Sequence, residues 1–296
     1  MTTRTIPTGP AGRLAPLWRT AASARRISRI LTYISLVAAA GVVVGPLLTV
    51  FLTSLKTPRE LARGGVFSLP GDWLNLSNYL TAFENGNMLV AFGNTAFILV
   101  FSVTGTIVIG TMAAYAIDRF HFRMKRLVIA LFLMATLVPG VTTQVATFKV
   151  IDAFGLFDTR WGPILLYMGT DIVSIYIFLQ FIRNIPVSLD EAARLDGASS
   201  LKIYRSVILP LLKPAIATVV IIKGITVYNE FYIPFLYMPS EELGVISTSL
   251  FRFKGPFGAH WEIISAGAVL VILPTLVIFL ALQRFIYNGF TAGAVK

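Results

Sequence analysis

The chain has 296 residues, 56% of them hydrophobic and only 13% charged, where a soluble domain carries about 25% charged residues. The formal net charge is +11 and cysteine is absent, which excludes a disulfide framework and a thiolate metal site. The basic residues lie between long apolar stretches rather than on one polar surface, which argues against nucleic acid and for a lipid bilayer as the partner of most of the chain.

Residues 1–29 are basic and carry Pro7, Gly9, Pro10 and Gly12, the composition of a disordered tail. The run ARRISRIL at 24–31 superficially resembles a twin-arginine export signal, but the apolar stretch after it is too long for a signal peptide and is expected to stay uncleaved. A bilayer core needs about 20 apolar residues of helix. Six stretches meet that length, at roughly 30–54, 89–115, 127–147, 161–182, 209–232 and 263–283. The expected fold class is therefore an all-α membrane protein with six transmembrane helices.

Small-xxx-small pairs at Gly41/Gly45 and Gly110/Ala114 suit close helix packing. Pro139-Gly140 should bend or break the third stretch. Most of the 25 lysines and arginines fall in the segments that share a side with the N-terminus, which places both termini and the segment between the fourth and fifth stretches in the cytoplasm.

That segment, residues 184–210, reads as a helix–turn–helix. Ser188 followed by Glu191 matches a capping box. Ala192, Ala193, Arg194 and Leu195 are good helix formers, and Asp196-Gly197 should stop the helix with a left-handed glycine. Ser199 or Ser200 can cap a second short helix, and Pro210 and Pro214 lead into the fifth stretch. Glu191 admits two readings, a capping residue alone or a contact for a cytoplasmic partner.

The fifth stretch holds Lys223, Thr226, Asn229 and Glu230. Lys223 and Glu230 are seven apart and should share a helix face with Thr226 between them. Ionisable groups in a membrane are costly and face a cavity or a partner. This face is expected to line a pathway or a subunit interface, or else to form an internal charge pair that only stabilises packing. Trp73, Trp161 and Trp261 fit interfacial anchors. The stretch 239–262 is long for a connection between spans. The two histidines, His121 and His260, fall on opposite sides, so no metal site is expected.

EAARLDGASSLKIYRSVILPLLKPA, from Glu191 through Ile208-Leu209-Pro210, resembles the EAA loop of binding-protein-dependent ABC importer permeases. NYLTAF (78–83), AAYAIDRFHFR (113–123), YNEFYIPF (228–235) and QRFIYNGFTAGAVK (283–296) resemble the carbohydrate branch of that family, its maltose-permease-like smaller membrane subunits. Tyr228 stands where the family has tryptophan, and Lys223 where it usually has an uncharged residue. The resemblance implies a type I ABC importer transmembrane fold in a bacterial plasma membrane. It implies a second permease subunit as heterodimer partner, two ATPase subunits and an extracytoplasmic sugar-binding protein. Glu191, Ala192, Ala193, Asp196 and Gly197 would form the ATPase-coupling loop, with Glu191 meeting a basic residue of the ATPase. The stretch 239–262 would reach towards the binding protein. No phosphate loop G-x-x-x-x-G-K-[ST] occurs, so ATP and Mg belong to the partner ATPase, and this chain needs no cofactor and has no catalytic residue. The competing readings are a secondary transporter or channel, for which no internal repeat is visible, and a polytopic membrane enzyme, for which no catalytic carboxylate cluster is visible.

Overall fold

The computed structural model describes residues 17–169, 171–255 and 258–294. Of the expected N-terminal tail, residues 1–16 lie outside the described residues. From Leu17 onward the chain is helical, and α1 runs Leu17–Ser54. The reason is local: the helix-breaking glycines and prolines of the tail end at Pro16, and Ala- and Arg-rich sequence follows.

After α1 come α2 (Pro58–Gly64) and α3 (Ser77–Asn85), two short helices that close its C-terminal end. Asn78 Nδ2 donates to the carbonyls of Ser54 (2.9 Å) and Lys56 (2.8 Å), and Tyr79 shares a 2.6 Å hydroxyl contact with Ser54. These bonds satisfy carbonyls that a helix end leaves free, which gives the NYLTAF stretch a structural role.

The long helix α4 (Met88–Arg119) is the centre of the bundle. It packs against α7 (Trp161–Gly169), α8 (Ile172–Arg183) and α12 (Lys213–Asn229). Between them lie α5 (Lys125–Thr136) and α6 (Gly140–Ala153), and then the short α9 (Ser188–Leu195), α10 (Ser200–Ile203), a π turn over Tyr204–Ile208, and α11 (Leu209–Leu211). After α12 follow α13 (Tyr232–Tyr237), α14 (Ile246–Ser249), a two-stranded hairpin of β1 (Lys254–Gly255) and β2 (Gly258–Ala259), and α15 (Trp261–Ala294). Helix α15 lies against α1 and α3.

Among the described residues, two helices are by themselves long and apolar enough to cross a membrane, Ser28–Ser54 and Met88–Arg119. Three of the expected spans are bent pairs instead: α5 with α6 at 105°, α7 with α8 at 43°, and α10–α11 with α12 at 72°. The first break is the expected one at Pro139-Gly140. The third falls at Leu212, where Pro214 in the first turn of α12 has no N–H to continue the preceding helix. The second was not legible in the sequence. Asp171 caps α8 there, accepting from Ser174 N (3.2 Å) and Ser174 Oγ (2.8 Å).

Two buried clusters sit towards opposite ends of α4. One joins Ala114, Tyr115, Phe178, Ile182, Tyr204 and Leu212. The other joins Ile98, Ile164, Tyr167, Val227, Met238 and Val245. A Cβ on Gly110 would sit 3.0 Å from the Phe178 ring, and Ala114 is fully buried, so this expected pair does mediate close packing. Gly41 and Gly45 meet nothing within 4 Å and play no such part among the described residues.

The long connection before α15 is folded back rather than free. Asn94 Nδ2 donates to Glu242 O (2.9 Å) and Gly244 O (3.0 Å), and Ile246 N donates to Thr95 Oγ1 (3.0 Å). Ser240 N donates to Asp158 Oδ1 at 3.1 Å. The segment beyond is tied back as well: Arg252 donates to Glu241 O, and Phe253 is buried next to Gly86.

Candidate functional site

The hairpin of α9 and α10 is anchored by one buried carboxylate. Asp190, with only 2% of its side chain exposed, meets Arg119 Nε at 3.0 Å, and Arg119 is itself 5% exposed. Arg119 also donates to Ile185 O (2.7 Å) and pairs with Asp118 (2.7 Å). One guanidinium at the end of α4 therefore ties down both the first turn of α9 and the chain leading into it. Its rigid fork of donors suits this bridging role.

The expected capping box does not form. Val187 already has helical angles (φ −64°, ψ −24°), so α9 starts at Ser188 with no side-chain cap. The N–H groups of Asp190 and Glu191 bond to Val187 O instead, at 2.9 and 3.1 Å. With Asp190 turned inward, Glu191 is exposed and has no side-chain partner among the described residues. Ala192 is exposed as well, whereas Ala193 packs against the buried cluster beneath. Leu195 is 91% exposed.

The end of α9 follows the expectation. Gly197 has φ +78°. Ala198 N bonds to Ala193 O (3.0 Å) and Gly197 N to Arg194 O (2.9 Å), the 6→1 and 5→2 pair of a Schellman motif. Ser199 Oγ then accepts from Lys202 N at 3.4 Å, capping α10. Tyr204 in the π turn shares a 2.8 Å hydroxyl bond with Thr111 on α4. The hairpin is thus a braced unit, presenting Glu191, Leu195 and Asp196 outward.

The second expected group is rearranged. Lys223 Nζ lies 2.9 Å from Asp171 Oδ2, each side chain 12% exposed. It also stands 5.9 Å from the centre of the Tyr167 ring. Glu230 does not share its helix: α12 ends at Asn229, and the Glu230 carboxylate accepts from Tyr232 N at 2.9 Å. Thr226 and Asn229 are exposed, and each donates back into α12, to Ile222 O and Ile225 O at 2.9 Å. So the four polar residues do not form one cluster. The partner of Lys223 is Asp171, at the break between α7 and α8. The sequence marks each as an isolated charge without pairing them: Asp171 is the one acidic residue in the fourth apolar stretch, and Lys223 is the one basic residue in the interior of the fifth. Among the described residues no three His, Asp or Glu side chains gather into a metal-binding group.

The sequence matches the family of binding-protein-dependent transport system inner membrane components over residues 11–291. The chain belongs to this family. A trehalose transport system permease protein of Mycobacterium tuberculosis is 32% identical to this permease, over 85% of this chain and 92% of that one. A protein of Thermoanaerobacterium thermosulfurigenes described as a probable starch degradation products transport system permease is 31% identical, over 86% and 92%. A melibiose/raffinose/stachyose import permease of Bacillus subtilis is 29% identical, over 90% and 96%. A crystal structure of a bacterial ABC transporter for import of the acidic polysaccharide alginate contains a chain that superposes with a TM-score of 0.76. That match covers 88% of this permease and 97% of the other chain at 24% identity. The fold is that of an ABC importer permease, and the chain is a transport subunit rather than an enzyme.

Proposed function

We propose that this permease is one membrane subunit of an ATP-driven, binding-protein-dependent sugar importer. It forms half of the translocation pathway beside a second permease subunit. An extracytoplasmic binding protein delivers the sugar, and two ATPase subunits bind ATP and Mg beneath the α9–α10 hairpin. Carbohydrate as cargo is supported by the relatives named above, whose descriptions run from trehalose to starch products.

The observation that carries the coupling role is the contrast between the two faces of α9. Asp190 and Ala193 are fixed to the bundle, while Glu191, Leu195 and Asp196 are exposed, and the two acids have no side-chain partner among the described residues. A partner that moves this outward face moves α4, α8 and α12 with it, because the hairpin shares their buried cluster. A charge-assisted contact from Glu191 to a basic group of the ATPase fits the exposed carboxylate.

Glu191→Lys tests this reading. The variant inserts and assembles, because the side chain has no internal partner. Binding-protein-stimulated ATP hydrolysis then no longer drives uptake, and labelled sugar accumulates at a small fraction of the parental rate. Parental uptake by this variant rules out docking through Glu191. Failure of the tagged chain to bring down an ATPase, a second permease and a sugar-dependent hydrolytic activity rules out the importer reading as a whole.

A further inference from the structure

Helix α6 has two unlike faces. Val141 and Val145, one turn apart, are 74% and 70% exposed. Thr143, Gln144 and Thr147 lie round the other side of the helix and are open in whole or in part. With α5, this helix makes up a broken stretch long and apolar enough to cross a membrane. Lipid or a second permease subunit covers the valines readily. Hydrocarbon offers an amide nothing to bond to, so the polar face belongs against water or another polar group.

Gln144 is tied across the bundle. Tyr232 Oη donates to Gln144 Oε1. One turn further along α6, the Phe148 ring lies 6.1 Å from the ring of the buried Tyr237. Helices α6 and α13 thus share a seam, closed by aromatic rings at one end. The other end is open, with Gln144 half-buried and Tyr232 47% exposed. The backbone of Tyr232 is pinned there. Glu230 Oε1 accepts from Tyr232 N (2.9 Å) and Ile233 N (3.4 Å), and Ser247 Oγ donates to Glu230 O (2.6 Å).

Bonding capacity is left over at this open end. Among the described residues the Gln144 amide nitrogen and Glu230 Oε2 have no hydrogen-bond partner, and neither atom is buried. A free amide donor, a free carboxylate oxygen and an open phenol ring suit the hydroxyls and the C–H face of a sugar. A subunit interface that stays closed is apolar at its centre and poor in charge. That describes the Val141 and Val145 face and not this one.

We propose that Gln144 and Tyr232 form a contact site for a neutral sugar inside the pathway, with Glu230 accepting from a second hydroxyl. The Gln144 nitrogen donates to a sugar oxygen, and the Tyr232 ring, steadied by its bond to Gln144, takes the C–H face. A free carboxylate disfavours an acidic cargo, and Lys223 is already taken by Asp171. The contact holds the sugar once the binding protein lets go of it, so that it does not return. This site rests on the sugar importer proposed above and adds to it where in this chain the cargo is held.

Two measurements on the assembled transporter test the site. The chain has no cysteine, so Gln144→Cys and Val145→Cys compare the two faces of α6 directly. A charged, water-soluble methanethiosulfonate is expected to modify Gln144→Cys at least about tenfold faster, because a charged reagent avoids hydrocarbon. Modification no faster than at Val145→Cys places the Gln144 face under lipid or the second subunit and overturns the site. In the second measurement, proteoliposomes are offered labelled trehalose, raffinose and maltotriose. Sugar imported per ATP hydrolysed is followed with whichever of them the parent imports. Gln144→Leu and Tyr232→Phe each lower that ratio about three- to tenfold, the worth of one hydrogen bond. Hydrolysis continues, and half-maximal import stays at the parental sugar concentration, because capture belongs to the binding protein. Val145→Ala keeps the parental ratio. A parental ratio in both Gln144→Leu and Tyr232→Phe overturns the proposal. So does a matched fall of hydrolysis and import, which marks the bond as a strap between α6 and α13. The importer reading fails separately: a parent that imports none of the three sugars counts against its cargo class, and the cysteine rates then decide whether Gln144 faces water.

Discussion

Asp190 and Glu191 are adjacent acids with opposite fates, and a buried arginine decides between them. Asp190 is taken by Arg119, and Glu191 is left facing outward. Breaking a buried pair costs about 3–5 kcal/mol where the other charge stays behind unpaired; Arg119 keeps Asp118 at 2.7 Å, so the loss of Asp190 costs less than that. Asp190→Ala is therefore expected to lower the melting temperature of the permease and uncouple the hairpin, whereas Glu191→Ala leaves stability unchanged. Thermal unfolding of the two variants in the same detergent separates them. The Lys223–Asp171 pair follows the same rule. Lys223→Met and Asp171→Asn each destabilise, and the double variant Lys223→Met/Asp171→Asn recovers part of the loss, a coupling that a double-mutant cycle measures. Additive losses would show that the 2.9 Å contact carries no energy.

Whole elements obey a wider set of constraints. At a helix start the pattern Ser/Thr-x-x-Glu occurs at Thr57–Glu60 and at Ser188–Glu191. It forms a capping box only at the first, where Thr57 has extended angles (φ −77°, ψ 157°). At the second the helix has already begun at the preceding turn. Local sequence names the candidates, and the backbone arriving from the previous element selects between them. Gly197 is different, since a left-handed C-cap is a property of the residue itself. Close packing of α4 on α8 depends likewise on a missing side chain. Gly110→Leu drives its side chain into Phe178, where a Cβ alone would already lie 3.0 Å from the ring. Overpacking of this kind costs about 1–3 kcal/mol. Reduced yield of folded permease is expected, with partial rescue by Phe178→Ala. No rescue would place the strain elsewhere.

At the scale of the molecule, the permease carries far more exposed apolar surface than a soluble monomer tolerates. The flank of α1 and most of α5 and α6 are open among the described residues. A bilayer and a second permease subunit account for that surface under the proposed function. The proposed topology has six spans, with both termini cytoplasmic. The absence of cysteine makes it directly measurable. Single cysteines at Ser188 and Lys254, both exposed, should differ in reactivity in intact cells. An impermeant maleimide labels Lys254→Cys and spares Ser188→Cys. The reverse pattern would invert the orientation and remove the hairpin from the cytoplasm.

Composition and hydropathy by themselves determined that this is a helical membrane subunit, and the ordered motifs determined its family. Both signals are local, a matter of apolar length, glycine and proline positions, and short runs of residue types. The sequence also determined the break at Pro139-Gly140 and the turn at Gly197, because proline and glycine act on their own backbone. Tertiary structure alone decided which acid meets which base. Lys223 is seven residues from Glu230 but pairs with Asp171, and Asp190 is reached by Arg119 from the end of another helix. The physical reason is that a charge in a low-dielectric interior takes whichever partner packing brings within a few ångströms, and distance along the chain does not report distance across the bundle.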